Sequence, residues 1–221
     1  MTEDSKADET ASSIFDNAIA VHVSPTEYRF VVHQNKICEK FKFFRAACSK
    51  RWIEGQEKLV RLPEVDIEVF QEYWEWVYSG TIPAGRCTVD SNMTAKNAEH
   101  LLLINLYLLA DLLDDIKLRN WSTEEMSKSL ETCNMVPLSD ALEAVWSGTQ
   151  KGSRFRRQFV DFAVARVDRD SMAGVIEQFP SEFVREFAIA AMRKAPLQLW
   201  QEVRGDGSQY LEPEESKVNN S

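Results

Sequence analysis

The side chains most able to do chemistry are three histidines, and their spacing argues against a catalytic or metal site. His22, His33 and His100 are far apart in the sequence, and none lies in a spacing typical of metal ligands. His33 could act as a general base only beside a nucleophile, and the sequence has no Gly-x-Ser-x-Gly or similar elbow. We therefore expect a structural, hydrogen-bonded histidine at position 33, no enzymatic activity, and no metal, cofactor or small-molecule substrate.

The cysteines and a glycine-containing segment also carry no recognisable chemistry. The segment Gly148–Ser153 lacks the Gly-Lys-Ser/Thr order of a phosphate-binding loop and follows a helix rather than a strand. The cysteines have no short spacing and no accompanying histidines, so they indicate neither a zinc site nor a disulfide framework. They suit a reducing compartment, the cytoplasm or the nucleus. The four are Cys38, Cys48, Cys87 and Cys133.

Charge makes nucleic acid an unexpected partner. The chain has 26 basic and 35 acidic residues, a net charge of −9, which repels phosphate backbones. Its only dense basic cluster is Arg154, Arg156 and Arg157, beside a helical stripe containing Phe155 and Phe159. We interpret these arginines as a solvated helix face. No run reaches the roughly 18 consecutive apolar residues of a membrane span, so no membrane association is expected.

The elements that must position functional residues begin with a hairpin. Ile19, Val21 and Val23 alternate with less apolar residues and are followed by a turn and the β-rich segment Tyr28–Val32. This pattern predicts two antiparallel strands with one face inward. From Ile37 the period becomes helical, and the recurring apolar side chains are Ile37, Phe41, Phe44 and Cys48. Cys38 and Cys48 are then expected to be separate buried thiols.

A second strand and helix follow. Leu59–Leu62 predicts a short strand, and Ile67–Ser79 predicts a helix with Asp66 as its N-cap and Gly80 as its stop. In this helix an aromatic stripe indicates core packing, whereas Trp76 lies off the stripe and suits exposure or contact with later helices.

The remainder of the chain is predicted to be helical. A loop spans residues 83–97, and the expected helices are Ala98–Leu113, Asp114–Leu130, Leu138–Trp146, Phe155–Val167, Met172–Phe179 and Phe183–Met192. We therefore predict an α+β fold with an all-α extension. Its parts are a disordered N-terminus (1–13), a main domain (14–130), a helical extension (131–204) and a disordered tail (205–221).

Six short motifs in order give this main domain a family resemblance. They are Phe30-Val31-Val32-His33, Ile37, Phe43-Phe44-Arg45, Leu62-Pro63-Glu64-Val65, Phe70 and Tyr78-Ser79-Gly80-Thr81-Ile82. Together they resemble the BTB (POZ) domain, and most closely the fungal-type stand-alone BTB proteins. The resemblance implies a small, mostly antiparallel sheet packed with helices, and a protein-binding function.

The resemblance also bears on self-association. Many BTB dimers exchange an N-terminal strand and helix between subunits, and only 14 mostly polar residues precede Phe15 here. We therefore expect a monomer or a weak homodimer, with any contact made through Ile37, Phe41 and Phe44.

The most informative surface motif is Trp52-Ile53-Glu54. In BTB adaptors that recruit cullin-3, the same connection carries a bulky apolar residue, any residue, then Glu. The resemblance thus implies a cullin-type surface at Phe44, Trp52, Ile53 and Glu54, where a Trp supplies a large apolar anchor. The expected function is that of a substrate adaptor for a cullin-3 RING ubiquitin ligase. The alternative function is a self-associating BTB scaffold or transcription cofactor with no ubiquitin role. For Trp52 itself, the alternative is packing on the domain's own core.

Overall fold

The structure, a computed structural model, describes residues 18–40, 42–49, 53–83, 87–166 and 172–194. The segments expected to be disordered, 1–13 and 205–221, lie outside these ranges. Within them the chain is α+β: a three-stranded sheet near the N-terminus is followed by a mostly helical region. No helix in the described ranges is long and apolar enough to cross a bilayer.

The sheet is mixed rather than mostly antiparallel. Its strands are β1 (Ala18–Val23), β2 (Tyr28–His33) and β3 (Leu59–Leu62), in the order β2-β1-β3. β1 and β2 form the predicted antiparallel hairpin, whereas β3 pairs with β1 in parallel. The correction has a topological cause, because the chain between β2 and β3 is long enough to cross over and return in the same direction.

Three short helices make this crossover. They are α1 (Gln34–Lys40), α2 (Lys42–Ala47) and α3 (Ile53–Glu57). The helical period from Ile37 was predicted correctly, but the first helix starts at Gln34, immediately after β2. Ile37 on α1 and Phe44 on α2 both turn into the core, with 0% exposure.

The cysteines of this crossover correct the sequence interpretation. Cys38 and Cys48 form a disulfide, and both side chains are only partly buried, so they are not two separate buried thiols. The two ends of the disulfide are ten residues apart, a spacing that carries no disulfide signature by itself. Cys87 and Cys133 are free and buried, as small apolar side chains often are.

Helix α4 (Ile67–Ser79) covers the sheet and has the predicted ends. Gly80 ends it in a left-handed conformation (φ 75°), donating its backbone N–H to the Trp76 carbonyl at 2.9 Å. Asp66 occupies the N-cap position, but its side chain makes no capping hydrogen bond. The buried side chains of α4 are Val69, Phe70, Tyr73 and Val77, which confirms the predicted core stripe.

The later helices are α5 (Met93–Leu112), α6 (Ile116–Cys133), α7 (Ser139–Gly148), α8 (Arg154–Arg166) and α9 (Ser181–Lys194). α5 begins five residues earlier than predicted, because the Asn92 side chain caps it by accepting from the Ala95 amide at 2.8 Å. Of the expected helix Met172–Phe179, only Met172 and Ala173 are α-helical, and a turn and the 3₁₀ segment Ile176–Gln178 follow them.

Two hydrophobic clusters share helix α5. The sheet core contains the inward residues of β1 to β3 and α4, together with Leu106, Leu109 and Ala110 of α5. The helical core is built from α6 to α9, with Leu103 and Ile104 of α5. Because α5 contributes to both, its nearly continuous apolar sequence is explained by burial on two sides.

Candidate protein-interaction surface

The predicted partner-contacting residues of α1 and α2 lie in the core. Ile37 and Phe44 have 0% exposure, and the Phe44 ring stacks on Tyr73 with 6.4 Å between centroids. Phe43 meets Phe44 edge-on at 5.2 Å. Both side chains are thus enclosed in the sheet core, and contact of Ile37 or Phe44 with a partner stays a prediction.

The remaining predicted residues fall at the edge of the described chain. Phe41 and Trp52 lie outside the described residues. Ile53 and Glu54 form the first turn of α3, and for these two residues the structure describes the backbone alone. The motif therefore leads directly into a short helix that ends one residue before β3.

A glycine fixes where this short helix lies. A Cβ atom added at Gly55 would come within 2.1 Å of the Ser49 carbonyl oxygen and 3.0 Å of the Ala47 carbonyl oxygen. Only a residue without a side chain allows α3 to approach the end of α2 so closely. The α3 backbone at Gly55 thus lies directly against the α2 terminus.

The disulfide and a backbone contact brace the same region. Cys38 of α1 is linked to Cys48 just beyond α2, which encloses the buried Phe44. Arg45 donates from Nε to the Cys38 carbonyl at 3.2 Å. α1 and α2 are consequently joined to each other, and we call this joined pair the platform.

The aromatic side chain off the α4 stripe joins the two cores. Trp76 donates its indole N–H to Asp115 Oδ2 at 3.0 Å, and its ring lies 5.9 Å from that of Trp121. The other oxygen of Asp115 accepts from the Lys117 and Leu118 amides, which caps α6. Contact with the later helices, one of two outcomes expected for Trp76, is confirmed.

The histidines that the structure describes have structural surroundings. His33 Nδ1 lies 2.8 Å from the Tyr78 hydroxyl, and its backbone N–H donates to the same oxygen at 3.1 Å, which confirms the hydrogen-bonded role. His100 has no exposed area, and this burial lowers its pKa to about 4. The His100 ring is therefore neutral at pH 7 and enclosed by the protein.

The basic cluster contains one buried member, which corrects the prediction of a uniformly solvated face. The Arg156 side chain is only 5% exposed, and its carbon Cζ lies 5.5 Å from the centre of the Trp146 ring. It donates to the carbonyl oxygens of Trp146 and Thr149 and pairs with Glu182 at 3.4 Å. Arg156 therefore ties α8 to α7 and α9.

Neither a metal site nor a reactive thiol emerges within the described ranges. No group of three or more His, Cys, Asp or Glu side chains there is placed to hold a metal ion. Burial, with the nearby Glu99 carboxylate, raises the pKa of the Cys87 thiol to about 11. Cys87 is thus protonated at neutral pH and poorly nucleophilic.

A groove near the C-terminal helices was not predicted. Its described lining comes from the start of α5, the loop joining α6 to α7, the end of α8 and residues 172–179, and its volume is about 720 Å³. Three of its apolar lining residues are exposed and lie at or near the starts of helical segments: Met93, Leu138 and Val175. The sequence around each of them does not indicate that the three lie close together in the fold. We call it the C-terminal groove.

No protein-family model matches the chain, and no curated protein matches its sequence at a significant level.

Proposed function

We propose that the chain is a BTB-type protein-interaction adaptor whose connection between α2 and β3 binds a cullin-3 scaffold. The observation that supports the proposal concerns Ile53 and Glu54, the two residues of the Trp-Ile-Glu motif whose backbone the structure describes. They begin a short helix in which Gly55 lies close to the end of α2, and this helix ends one residue before β3. Backbone that is already helical has little conformational freedom to lose on binding.

The order of elements agrees with the resemblance. An antiparallel hairpin leads into a helical crossover, a third strand returns beside β1, and α4 packs on the sheet before a pair of long helices. The strand and helix positions expected from the BTB-like motifs fall in these elements. This agreement supports the family proposal through local structure rather than through any matched relative.

Phe44 has a different part in the proposal from the one that the motif first implied. With no exposed area, it supports the platform by filling the space between α2 and Tyr73. Trp52 and Glu54 remain the proposed contacts, the first as an apolar anchor and the second as an orienting charge.

The test is calorimetric titration of the full chain with a cullin-3 N-terminal domain. Trp52→Ala removes an interfacial anchor worth about 2 kcal/mol, so affinity should fall about 30-fold. Glu54→Lys should weaken binding with an effect that shrinks in high salt. The matched control is Ile116→Ala, an exposed apolar residue on α6, which should bind as wild type does.

Thermal unfolding of each variant separates loss of contact from loss of structure. If Trp52 packs on its own core, Trp52→Ala lowers the melting temperature along with affinity. The proposal is refuted if wild-type protein shows no binding at tens of micromolar, or if both surface variants bind as tightly as wild type.

A self-associating scaffold is the second candidate function, and edge strand β2 is the observation that favours it. Tyr28 and Val31 on this strand are 52% and 54% exposed. An edge with apolar side chains is a template for pairing with another strand. Light scattering over a dilution series distinguishes the candidates, since a scaffold persists as a dimer at micromolar concentration and an adaptor monomer gives about 25 kDa.

A further inference from the structure

A smaller pocket lies between the turn that precedes α4 and the C-terminal half of α5, and its volume is about 180 Å³. Its described lining comes from residues 64–66 of the turn, from Val69 of α4 and from one side of α5 within residues 105–112. None of these stretches adjoins an undescribed segment of the sequence. We call this concavity the α4–α5 pocket.

Much of the α4–α5 pocket is apolar. Val69 and Leu109 are buried in the sheet core, whereas Leu112 is 56% exposed. The lining residues of α5 recur at spacings of three and four, so they form one continuous face of that helix. A ligand would therefore lie on a well-packed apolar surface that is open to solvent at Leu112.

The charged residues of the described lining are all negative. They are Glu64 and Asp66, both exposed, and neither makes an ion pair with a described residue. Asp66 occupies the N-cap position of α4, but its carboxylate makes no capping hydrogen bond. Near the end of α5, the cation of Arg119 is already paired with Asp111 at 2.5 Å. Both carboxylates are thus available to an incoming cation.

Asn105 adds an amide to the same lining. This residue is half-buried, and its side chain makes no hydrogen bond with a described residue. The carbonyl oxygen of such an amide accepts from an N–H donor. The lining therefore offers two carboxylates and one amide oxygen beside an apolar surface.

This combination selects a long basic side chain. Arginine and lysine both lay an apolar stem along apolar surface while the charged head stays near water. The planar guanidinium of arginine carries five N–H donors and binds several acceptors at once, so three acceptors in one lining favour arginine over lysine. The pocket is also smaller than the roughly 300–1,000 Å³ typical of small-molecule sites, which suits a single side chain.

We propose that the α4–α5 pocket binds an arginine side chain of a partner protein, with its stem on Leu109 and Leu112 and its guanidinium on Glu64 and Asp66. A free arginine would bring its own carboxylate to a site that already has two, whereas an arginine within a polypeptide does not. The proposal does not rest on the adaptor function, because these residues lie outside the connection between α2 and β3.

The probe is a set of capped nine-residue peptides of alanine and serine that differ only in the central residue, which is arginine, lysine or citrulline. Citrulline keeps the shape of arginine without its charge. Full-length protein labelled with carbon-13 at the leucine and valine methyl groups reports the site. The arginine peptide should shift the signals of Val69, Leu109 and Leu112, and should leave that of Leu142 in the helical core in place.

Titration of these shifts at physiological salt measures the charge preference. Two exposed ion pairs predict about ten-fold weaker binding of the citrulline peptide than of the arginine peptide, with the lysine peptide between them. Glu64→Gln combined with Asp66→Asn should reduce binding of the arginine peptide to the level of citrulline. Asparagine is as good an N-cap as aspartate, so this double variant should keep its melting temperature. The matched control is Glu68→Gln combined with Glu75→Gln, which removes the same charge from exposed positions on α4 outside the described lining and should bind as wild type does.

Equal affinity for the arginine and citrulline peptides would overturn the proposal, and so would wild-type affinity in the double variant at Glu64 and Asp66. The absence of any shift at millimolar arginine peptide, or binding that leaves the three pocket signals in place, would also refute it. Equal binding of the lysine peptide would refute the assignment to arginine. Free arginine should bind more weakly than the arginine peptide, and an equal affinity would refute a protein segment as the occupant.

Discussion

Replacement of Arg156 by Met should destabilise the helical region far more than an arginine on a helix surface would suggest. Arg156 Nε donates to Thr149 Oγ1 at 2.8 Å, and Nη2 donates to the Trp146 carbonyl at 2.5 Å. The same guanidinium pairs with Glu182 at 3.4 Å and with Glu186 at 3.8 Å. Met fills a similar volume but satisfies none of these acceptors.

The magnitude follows from what is left behind. Each buried acceptor without a partner costs about 1–3 kcal/mol, and Arg156→Met leaves two backbone carbonyls, those of Trp146 and Thr149, without their donor. The ion pairs add little to this loss, because the Glu182 side chain is 66% exposed and the Glu186 side chain is 26% exposed. We therefore expect Arg156→Met to lower the free energy of unfolding by about 4 kcal/mol, or the melting temperature by roughly 10 °C.

The assay is urea unfolding followed by circular dichroism and by tryptophan fluorescence, to which Trp146 contributes as one of six tryptophans. Arg157→Met is the matched control, because Arg157 is the neighbouring residue, with a side chain that is 78% exposed and paired only with Asp161 among described residues. It should change stability by no more than about 0.5 kcal/mol. Arg156→Lys should be intermediate, since lysine keeps the charge but lacks the planar fork. Equal stabilities of the Met variants at 156 and 157 would refute the reasoning.

Two further predictions concern the cores. His100 has a pKa lowered to about 4 by burial, so the unfolded chain binds more protons between that pH and 6.5, and folded-state stability is lost as pH falls through this window. Between pH 7.5 and pH 5 the free energy of unfolding of the wild type should fall by roughly 2 kcal/mol more than that of His100→Leu. Urea unfolding of both proteins at the two pH values tests this. The same stability difference between them at both pH values would contradict it. Gly55→Ala should cost about 1–3 kcal/mol, because its Cβ meets a backbone oxygen at 2.1 Å, whereas Gly148→Ala meets the movable side chain of Leu108 at 2.7 Å and should cost less. Thermal unfolding measures the stability of the two variants. A Gly55→Ala variant with the melting temperature of the wild type would show that α3 does not lie against Ser49.

Sequence patterns predicted the elements whose signals are local. The alternation in β1 and the aromatic stripe of α4 each depend on neighbouring residues, and both were predicted correctly. Burial of Ile37 and Phe44 followed from the same helical period, but the family resemblance favoured a contact role for them. A position that lies within an apolar period is better assigned to packing.

The features that were missed depend on partners distant in sequence. The local sequence predicts a surface position for Arg156. Its burial depends on Glu182, 26 residues later, and on the backbone carbonyls of Trp146 and Thr149. The parallel direction of β3 follows from how the crossover folds, and its four residues carry no signal of it. The early start of α5 depended on a single cap, Asn92, within a stretch rich in turn-forming residues.

Because α5 contributes side chains to both hydrophobic clusters, a division of the chain near residue 130 would cut through the packing of the helical core. A chain ending near residue 130 would retain Leu103 and Ile104 but lose the side chains of α7 to α9 that enclose them. The apolar surface exposed in this way would make the shortened chain prone to associate with itself. Substitutions in the sheet can reach the C-terminal helices through this one shared helix. A destabilising substitution in either cluster is therefore expected to lower the stability of both. Exchange of either half of the chain for that of another protein would require α5 to be redesigned on both faces.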